Sequence, residues 1–274
     1  MLISGKTKIA GLFGWPVEHT LSPYMQNAAF LHCGLDYCYV PFRVNPDSLG
    51  NAIEAIRSLN LCGANLTIPH KETSMPFLDE ADDEALAIGA VNTITNKNGM
   101  LAGHNTDGRG FVTALQEQGI ILEGCRALII GAGGASRSIG YYLSKIAQSL
   151  HIHNRTHEKA VALASLLSRI GGNAGVVQHL SSLSEYDIII NATSLGLRAD
   201  DPLPLDINLL NPFQTVCDLV YRKTPLLMKA EQKGCRTADG LGMLLWQGAY
   251  AFELWTGMPP PIEVMRTALL SIVK

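Results

Sequence analysis

A glycine-containing turn follows a run of apolar residues near the middle of the chain. Residues 127–130 are Ala-Leu-Ile-Ile, and Gly131 and Gly133 occupy the first two glycine positions of the pattern G-x-G-x-x-G/A, with Ser136 at the third. In this pattern the first glycine allows a tight turn and the second lets the backbone approach a pyrophosphate. A helix over about 135–147 would point its free N–H groups and the positive end of its dipole at the phosphates. The sequence therefore predicts a dinucleotide site, against the alternative of a purely structural turn.

The residues after the second predicted strand favour NADP over NAD. That strand covers residues 150–153, and the position where NAD enzymes place an Asp or Glu for the ribose 2′-hydroxyl holds Asn154 and Arg155. The planar guanidinium of Arg155 can pair with a 2′-phosphate, and no carboxylate is present there to repel it. Lys159 would add positive charge one helical turn later. The alternative is a solvated basic pair at the start of a helix.

Several polar residues at predicted strand ends and turns are candidates for acid–base chemistry or substrate binding. These candidates are Ser22, Thr67, Lys71, Asn92 and Asp107. Each also has a structural interpretation, since Ser22 and Asp107 could cap helices and Lys71 could be an ordinary exposed lysine. Individually, none of them establishes a reaction.

Strand-like and helix-like segments alternate in the N-terminal third of the chain. Strands are expected at 8–13, 37–43 and 62–68, and helices at 23–33 and 47–59. Ser22 is expected to cap the first of these helices, with proline in its first turn. This alternation predicts an α/β fold with a mainly parallel sheet.

The nucleotide-binding strand belongs to a second domain of Rossmann type. Two helices remain after that fold is complete, so we expect them to pack back on the first domain. These two helices are expected at 242–256 and 262–272. The other strands of the second domain are expected at 187–191, 215–219 and 237–238. The predicted domains are residues 1–104 with 240–274, for substrate binding and catalysis, and residues 105–239, for NADP.

Composition excludes several classes of protein. The 274 residues carry a formal charge of −3, which is not the pattern of a nucleic-acid-binding protein, and no apolar run reaches the roughly 20 residues that span a bilayer. The six cysteines form no C-x-x-C pair, so we expect reduced thiols and no metal. No secretory h-region is found near the N-terminus. We therefore expect a cytoplasmic protein with a small-molecule substrate, acting as a monomer or homodimer.

Taken together, the motifs resemble those of the shikimate dehydrogenase family, in order and over essentially the whole chain. In the first domain they are Ser22-Pro23, residues 63–71 (Gly-Ala-Asn-Leu-Thr-Ile-Pro-His-Lys), residues 89–93 (Gly-Ala-Val-Asn-Thr) and residues 103–108 (Gly-His-Asn-Thr-Asp-Gly). In the rest of the chain they are residues 131–137, Asn154-Arg155-Thr156, residues 191–194 (Asn-Ala-Thr-Ser) and residues 239–247.

The resemblance implies an oxidoreductase of aromatic amino-acid biosynthesis that reduces 3-dehydroshikimate to shikimate with NADPH. Lys71 and Asp107 would be the catalytic pair, in which Lys71 protonates the developing alkoxide and Asp107 orients the lysine. The implied substrate-binding residues are Thr20, Ser22, Thr67, Asn92, Tyr221 and Gln247. The implied cofactor-binding residues are Gly131, Ala132, Gly133, Gly134, Ala135, Ser136, Asn154, Arg155, Thr156, Lys159, Asn191, Thr193, Ser194, Leu219, Gly240 and Met243.

One position departs from the family pattern. The family often has serine at both positions of an S-x-S-P stretch, and this chain has Thr20 at the first and Ser22 at the second. In a small pocket the added methyl of Thr20 could tilt or exclude a substrate, an effect of about 1–3 kcal/mol. A quinate/shikimate dehydrogenase of broader specificity, or an enzyme for an amino analogue, therefore stays as an alternative. A dinucleotide-binding sensor without turnover is a separate alternative of another class. The retained Lys71 and Asp107 argue against the sensor, and the NADP-type residues argue against quinate, because quinate-using relatives often use NAD.

Overall fold

The computed structural model describes residues 3–198 and 200–273. The chain divides into two compact units: unit 1 is Met1–Gly110 with Leu245–Lys274, and unit 2 is Phe111–Leu244. Each unit contains one six-stranded sheet. Within the described ranges, no helix is long and apolar enough to cross a membrane.

The sheet of unit 1 is mainly parallel, as predicted. The first elements in chain order are β1 (Lys8–Gly14), α1 (Ser22–His32), β2 (Tyr37–Arg43), α2 (Leu49–Ser58), β3 (Gly63–Leu66), β4 (Glu80–Ala81), α3 (Asp83–Ile88), β5 (Thr93–Lys97), β6 (Met100–His104) and α4 (Asp107–Glu117). The strand order is β2-β1-β3-β5-β6-β4. β1 is parallel to β2 and β3, and β4 is parallel to β6, whereas β5 is antiparallel to both of its neighbours.

The antiparallel hairpin of β5 and β6 was missing from the sequence-based expectation. Its turn is Asn98-Gly99, with positive φ angles of 56° and 89°. Asn-Gly with both φ angles positive is typical of a two-residue hairpin turn, so the dipeptide was an available signal. In the hairpin Thr93 pairs with His104. The segments that flank the two strands, around Asn92 and 105–107, therefore lie side by side.

Unit 2 has the Rossmann topology that the glycine turn predicts. Its elements are β7 (Arg126–Ile130), α5 (Gly134–Ile146), β8 (Ser149–His153), α6 (His157–Arg169), β9 (Ala174–Val176), β10 (Ile188–Asn191), β11 (Thr215–Asp218), α7 (Pro225–Gln232) and β12 (Arg236–Ala238). The strand order β9-β8-β7-β10-β11-β12 is the 3-2-1-4-5-6 order of dinucleotide-binding folds, and every pairing in it is parallel. Ile129, Ile152 and Ile190 are fully buried, as in parallel sheets covered on both faces.

The C-terminal helices are α8 (Leu241–Thr256) and α9 (Ile262–Leu270), and from Leu245 onward they complete unit 1. The rings of Phe252 and Phe30 stack with their centroids 5.4 Å apart. The indole N–H of Trp255 donates to the Ile94 carbonyl oxygen at 3.0 Å. The expectation that the tail packs on the first domain is confirmed, and the packing buries the large aromatic side chains of Phe252 and Trp255.

Candidate active site

Lys71 and Asp107 form a buried ion pair in unit 1. Lys71 lies in the turn that follows β3, and Asp107 is the first residue of α4. Lys71 Nζ donates to Asp107 Oδ2 at 2.5 Å, and only 17% and 4% of the two side chains are exposed. An ammonium group that is held by a carboxylate and largely shielded from water can deliver a proton in a defined direction. The pair is therefore suited to acid–base chemistry.

Asn92, which is itself held by Thr106, binds the other oxygen of the Asp107 carboxylate. Asn92 Nδ2 donates to Asp107 Oδ1 at 2.9 Å and to Thr106 Oγ1 at 2.9 Å. The backbone N–H of Thr106 donates to Asn92 Oδ1 at 2.8 Å. Because a backbone N–H can only donate, the oxygen of the Asn92 amide faces it and the NH₂ group faces the carboxylate.

Gln247 reaches the same cluster from α8. Its Oε1 lies 3.4 Å from Asn92 Nδ2, and its backbone carbonyl accepts the Thr106 hydroxyl at 3.0 Å. The structure thus brings Gln247 together with Asn92, Lys71 and Asp107, all four of which are predicted site residues. Thr106 is an additional member that the sequence did not single out; its only signal was its position directly before Asp107.

The start of α1 differs from the prediction. The helix begins at Ser22 itself with Leu21 as N-cap, so the predicted capping role of Ser22 is wrong. The reason is Thr20, whose Oγ1 accepts the Ser22 N–H at 3.3 Å and satisfies a free donor at the helix start. Thr67 directly follows β3. No hydrogen bond within the described part of the chain links these side chains to the Lys71–Asp107 pair, so their binding role stays a prediction.

The glycine turn of unit 2 leaves room for a phosphate group. Gly131 has φ +119°, and a Cβ there would lie 2.9 Å from the Ala192 carbonyl oxygen, so only glycine is accommodated. Gly133 is the N-cap of α5, without a side-chain cap, and a Cβ there would meet nothing within 4 Å. The backbone at the start of α5 therefore has open space beside Gly133, as close approach of a pyrophosphate requires.

Ser136 fills the third position of the glycine pattern. It is fully buried, and its hydroxyl has no hydrogen-bond partner among the residues the structure describes. A Cβ on Gly131 would be 3.3 Å from this hydroxyl, so the side chain lies against the turn. The small serine keeps the helix close to the strand, as the third glycine does elsewhere. The turn thus fits a dinucleotide.

The predicted adenosine-side residues follow β8 on the surface. Asn154 Nδ2 donates to the Thr156 carbonyl oxygen at 2.8 Å, which holds the turn into α6. Arg155 and Lys159 are exposed. In the described chain no carboxylate forms an ion pair with Arg155 or Lys159, so both cations are available to an anionic ligand.

A second buried carboxylate organises the turn after β10. Asn191 Nδ2 donates to Asp218 Oδ1 at 3.0 Å, and Asn191 Oδ1 accepts the Thr193 hydroxyl at 2.7 Å. Asp218 Oδ2 accepts the Thr224 hydroxyl at 2.7 Å. Burial raises the pKa of Asp218 above its ordinary value. Asp218 was not among the predicted residues. The sequence did contain a signal for it, because a residue that only fills a buried strand would be uncharged and Asp218 places a carboxylate at the end of an apolar strand.

The other predicted residues of unit 2 lie around the end of β11 and the start of α8. A Cβ on Gly240 would overlap the Leu219 carbonyl, so this position requires glycine. Met243 is buried and Tyr221 is 40% exposed. Across the described ranges, no group of three His, Cys, Asp or Glu side chains could hold a metal ion.

Comparison with known proteins gives the family. Three family models match: the substrate-binding domain of shikimate dehydrogenase at residues 12–94, shikimate/quinate 5-dehydrogenase at 113–197, and the C-terminal domain of shikimate 5′-dehydrogenase at 240–270. A shikimate dehydrogenase (NADP(+)) of Desulforamulus reducens is 46% identical over 97% of this chain and 96% of its own length. The chain belongs to the shikimate dehydrogenase family.

Solved members of the shikimate dehydrogenase family share the fold. A shikimate dehydrogenase crystallised with NADP+ superimposes with a TM-score of 0.93 and 41% identity, covering 100% of this chain and 98% of that one. The enzyme of Thermus thermophilus, crystallised with NADP(H) and shikimate, has a TM-score of 0.88 and 37% identity, covering 97% of this chain and 100% of that one. These values extend the family relationship to both units.

Proposed function

We propose that this protein is an NADP-dependent shikimate dehydrogenase, which reversibly reduces 3-dehydroshikimate to shikimate in the biosynthesis of aromatic amino acids. The observation that carries the proposal is the buried Lys71–Asp107 ion pair, with Nζ and Oδ2 2.5 Å apart, in a member of the shikimate dehydrogenase family. A sensor that only binds a dinucleotide would have no use for such a pair. The Desulforamulus reducens relative is a shikimate dehydrogenase (NADP(+)), and the two solved shikimate dehydrogenases named above were crystallised with NADP+ or NADP(H).

Lys71 holds the proton of the proposed reaction. During reduction its ammonium group donates a proton to the carbonyl oxygen of the substrate, which becomes a hydroxyl; during oxidation the neutral amine takes the proton back. Asp107 keeps Nζ directed and compensates its charge while it is protonated. When bound, NADPH supplies the hydride for the carbonyl carbon.

The cofactor would be held by residues of unit 2. The backbone of the turn from Gly131 to Ser136 would take the pyrophosphate, and Arg155 with Lys159 would pair with the 2′-phosphate. The remaining proposed contacts are Asn154, Thr156, Asn191, Thr193, Ser194, Leu219, Gly240 and Met243. We propose residues 105–239 as the NADP-binding domain.

The small-molecule substrate would be held mainly by unit 1. Thr20 and Ser22 would bind its carboxylate at the start of α1, a helix without acidic residues in its first turn. The ring hydroxyls would contact Thr67, Asn92 and Gln247, with Tyr221 near the carboxylate. We propose residues 1–104 with 240–274 as the substrate-binding and catalytic domain, and Asp107, which lies just beyond residue 104 but within unit 1, completes its catalytic pair.

We propose the cytoplasm as the compartment and a monomer or homodimer as the assembly. All six cysteines are free thiols, which fits a reducing compartment. Analytical ultracentrifugation at micromolar concentration distinguishes the two assemblies.

A steady-state assay tests the proposed function. Purified protein is offered shikimate or quinate with NADP+ or NAD+, and we expect the highest kcat/KM for shikimate with NADP+. A higher kcat/KM for quinate with NAD+ would assign the protein to the quinate branch of the family, to which one of the matching models extends. NADPH binding without any turnover would instead support the sensor.

A further inference from the structure

A line of buried hydrogen bonds extends from the Lys71–Asp107 pair into the core of unit 1. Beyond Asn92, whose amide donates to Asp107, the Thr93 hydroxyl lies 3.0 Å from Asn92 Oδ1. Asn65 Nδ2 donates to Thr93 Oγ1 at 3.0 Å. The Tyr39 hydroxyl donates to Asn65 Oδ1 at 2.8 Å. Tyr39, Asn65 and Thr93 are 2%, 4% and 0% exposed, so this line lies away from solvent.

The donors in this line all point toward Asp107. The Thr93 hydroxyl has one proton, and its two neighbouring acceptors are Asn92 Oδ1 at 3.0 Å and Thr106 Oγ1 at 3.5 Å. The contact with Asn92 Oδ1 is the shorter one, so the Thr93 proton goes to Asn92 Oδ1. Asn65 Nδ2 donates to Thr93 in turn. Hydrogen bonds that run in one direction through a low-dielectric interior polarise and strengthen one another.

We propose that Thr93 is a positioning residue of the dehydrogenase. Its hydroxyl, together with the Thr106 N–H, fixes the plane of the Asn92 amide, and through that amide it holds the Asp107 carboxylate against Lys71. Thr93 is fully buried and its hydroxyl contacts Asn65, Asn92 and Thr106, so it acts on the ion pair through Asn92. The role assigned to Thr93 rests on the proposed function, because it concerns the geometry of that reaction.

The chain offers a matched comparison two residues further along the same strand. Thr95 lies on the same face of β5 as Thr93 and is 3% exposed, but its Oγ1 is 3.2 Å from His104 Nε2 and does not contact the line of bonds to Asp107. Valine has the shape of threonine and lacks the hydroxyl, so Thr93→Val and Thr95→Val remove the same group at equal burial. Thr93→Ser keeps the hydroxyl and removes only a methyl.

The first experiment compares kcat and KM of the three variants with wild type, using shikimate and NADP+. We expect Thr93→Val to lower kcat about tenfold while the KM for NADP+ stays within twofold, because a small misplacement of catalytic groups lowers the rate without affecting a remote binding site. Thr93→Ser and Thr95→Val should stay within about twofold of wild-type kcat. A Thr93→Val kcat equal to that of Thr95→Val, or a Thr93→Ser kcat as low as that of Thr93→Val, would overturn the inference.

The second experiment needs no turnover. A brief pulse of acetic anhydride at fixed pH, followed by mass spectrometry, measures how fast the Lys71 amine is acetylated. Loosening Asp107 frees this amine, so we expect severalfold faster acetylation in Thr93→Val than in wild type or Thr95→Val. Equal rates in all three proteins contradict the inference. If wild type does not oxidise shikimate, the proposed function fails and the acetylation rates still decide the role of Thr93.

Thermal unfolding of each variant checks that the fold is retained. If Thr93→Val does not fold, Thr93→Cys replaces it, since a thiol is a weak donor of nearly the same shape as the serine hydroxyl. The expected direction is the same: slower turnover and faster Lys71 acetylation than in Thr93→Ser. A Thr93→Cys protein that matches Thr93→Ser in both measurements would overturn the assignment.

Discussion

Each unit contains a buried carboxylate that is held by an asparagine, and the two clusters differ in the group that meets the second carboxylate oxygen. In unit 1, Asn92 Nδ2 donates to Asp107 Oδ1 at 2.9 Å, and the ammonium of Lys71 meets Oδ2. The Asp107 carboxylate therefore contacts a group that carries a transferable proton. A side chain that can gain and lose a proton turns this cluster into a reactive one.

In unit 2 the corresponding partner is a hydroxyl. Asn191 Nδ2 donates to Asp218 Oδ1 at 3.0 Å, and the Thr224 hydroxyl donates to Oδ2 at 2.7 Å. Among the described residues no cation forms an ion pair with the buried Asp218, and desolvation raises its pKa. By itself, an asparagine that holds a buried aspartate only stabilises a turn. The group that meets the second carboxylate oxygen decides whether the cluster can also take part in a reaction.

Removing the Lys71 ammonium group should produce the largest effect on activity. We expect Lys71→Ala to lower kcat about 10²- to 10⁴-fold, the usual contribution of a positioned acid–base group, with little change in shikimate affinity. The measurements are steady-state kinetics and equilibrium binding of shikimate by calorimetry. The exposed Lys97 on β5 serves as control, and Lys97→Ala should keep wild-type kcat. A Lys71→Ala protein with unchanged kcat would remove the lysine from the mechanism.

Removing the Arg155 cation of unit 2 should weaken binding of NADP+ and leave the chemical step unchanged. We expect Arg155→Ala to raise the KM for NADP+ about 10- to 100-fold, the value of a hydrogen-bonded charge pair, and to leave kcat and the KM for NAD+ within about twofold. The exposed Arg169 at the end of α6 provides the control variant Arg169→Ala. Equal changes in the KM for both dinucleotides would refute the 2′-phosphate assignment.

Removing the Asp218 carboxylate of unit 2 should lower the stability of the fold. Asp218→Ala leaves the buried donors of Asn191 and Thr224 without their acceptor, and we expect the free energy of unfolding to fall by about 2–3 kcal/mol. Thr224→Val removes one of these bonds and should show a smaller loss. Chemical denaturation with tryptophan fluorescence measures both. If Asp218→Ala unfolds at the wild-type denaturant concentration, this carboxylate does not organise the turn.

The smallest effect is a pH dependence of stability. The pKa of Asp218 is higher in the folded protein than its ordinary value of 3.8, so folding favours the protonated form. Its stabilising contribution is full below 3.8 and is lost as the pH rises through the raised pKa. Asp218→Asn cannot ionise, so it should gain stability relative to wild type as the pH rises above about 4. Parallel curves for the two proteins over that range would contradict the expected ionisation.

The sequence was sufficient to predict the Rossmann unit and the return of the C-terminal helices. The glycine turn is local, and its requirement for backbone space at Gly131 is visible in the residue type. Apolar stretches such as 127–130 and 188–190 are buried on both faces of the sheet, so they are recognisable without knowledge of their neighbours. The pair of Lys71 and Asp107 was also expected, although through family resemblance and not through spacing.

The residues that the sequence did not single out are those whose partners are set by tertiary contacts. Thr106 bonds to Gln247, which is 141 positions away in the chain, and Asp218 bonds to Asn191 across two neighbouring strands. Nothing local distinguishes Thr93 from Thr95, because both are buried threonines of one strand. Ser22 illustrates the opposite error, since its capping signal was local but Thr20 two residues earlier took over the helix start.

The discontinuous construction of unit 1 has a consequence for synthesis. Unit 2 is one uninterrupted stretch, whereas unit 1 needs both its N-terminal segment and the helices that carry Phe252 and Trp255. Translation adds roughly 5–20 residues per second. On the order of ten seconds or more therefore pass between synthesis of the N-terminal segment of unit 1 and synthesis of its C-terminal helices. During that interval the surface that later covers Phe252 is exposed on the ribosome. We expect chaperones to bind the nascent chain there, and the contiguous nucleotide-binding unit to become protease-resistant first.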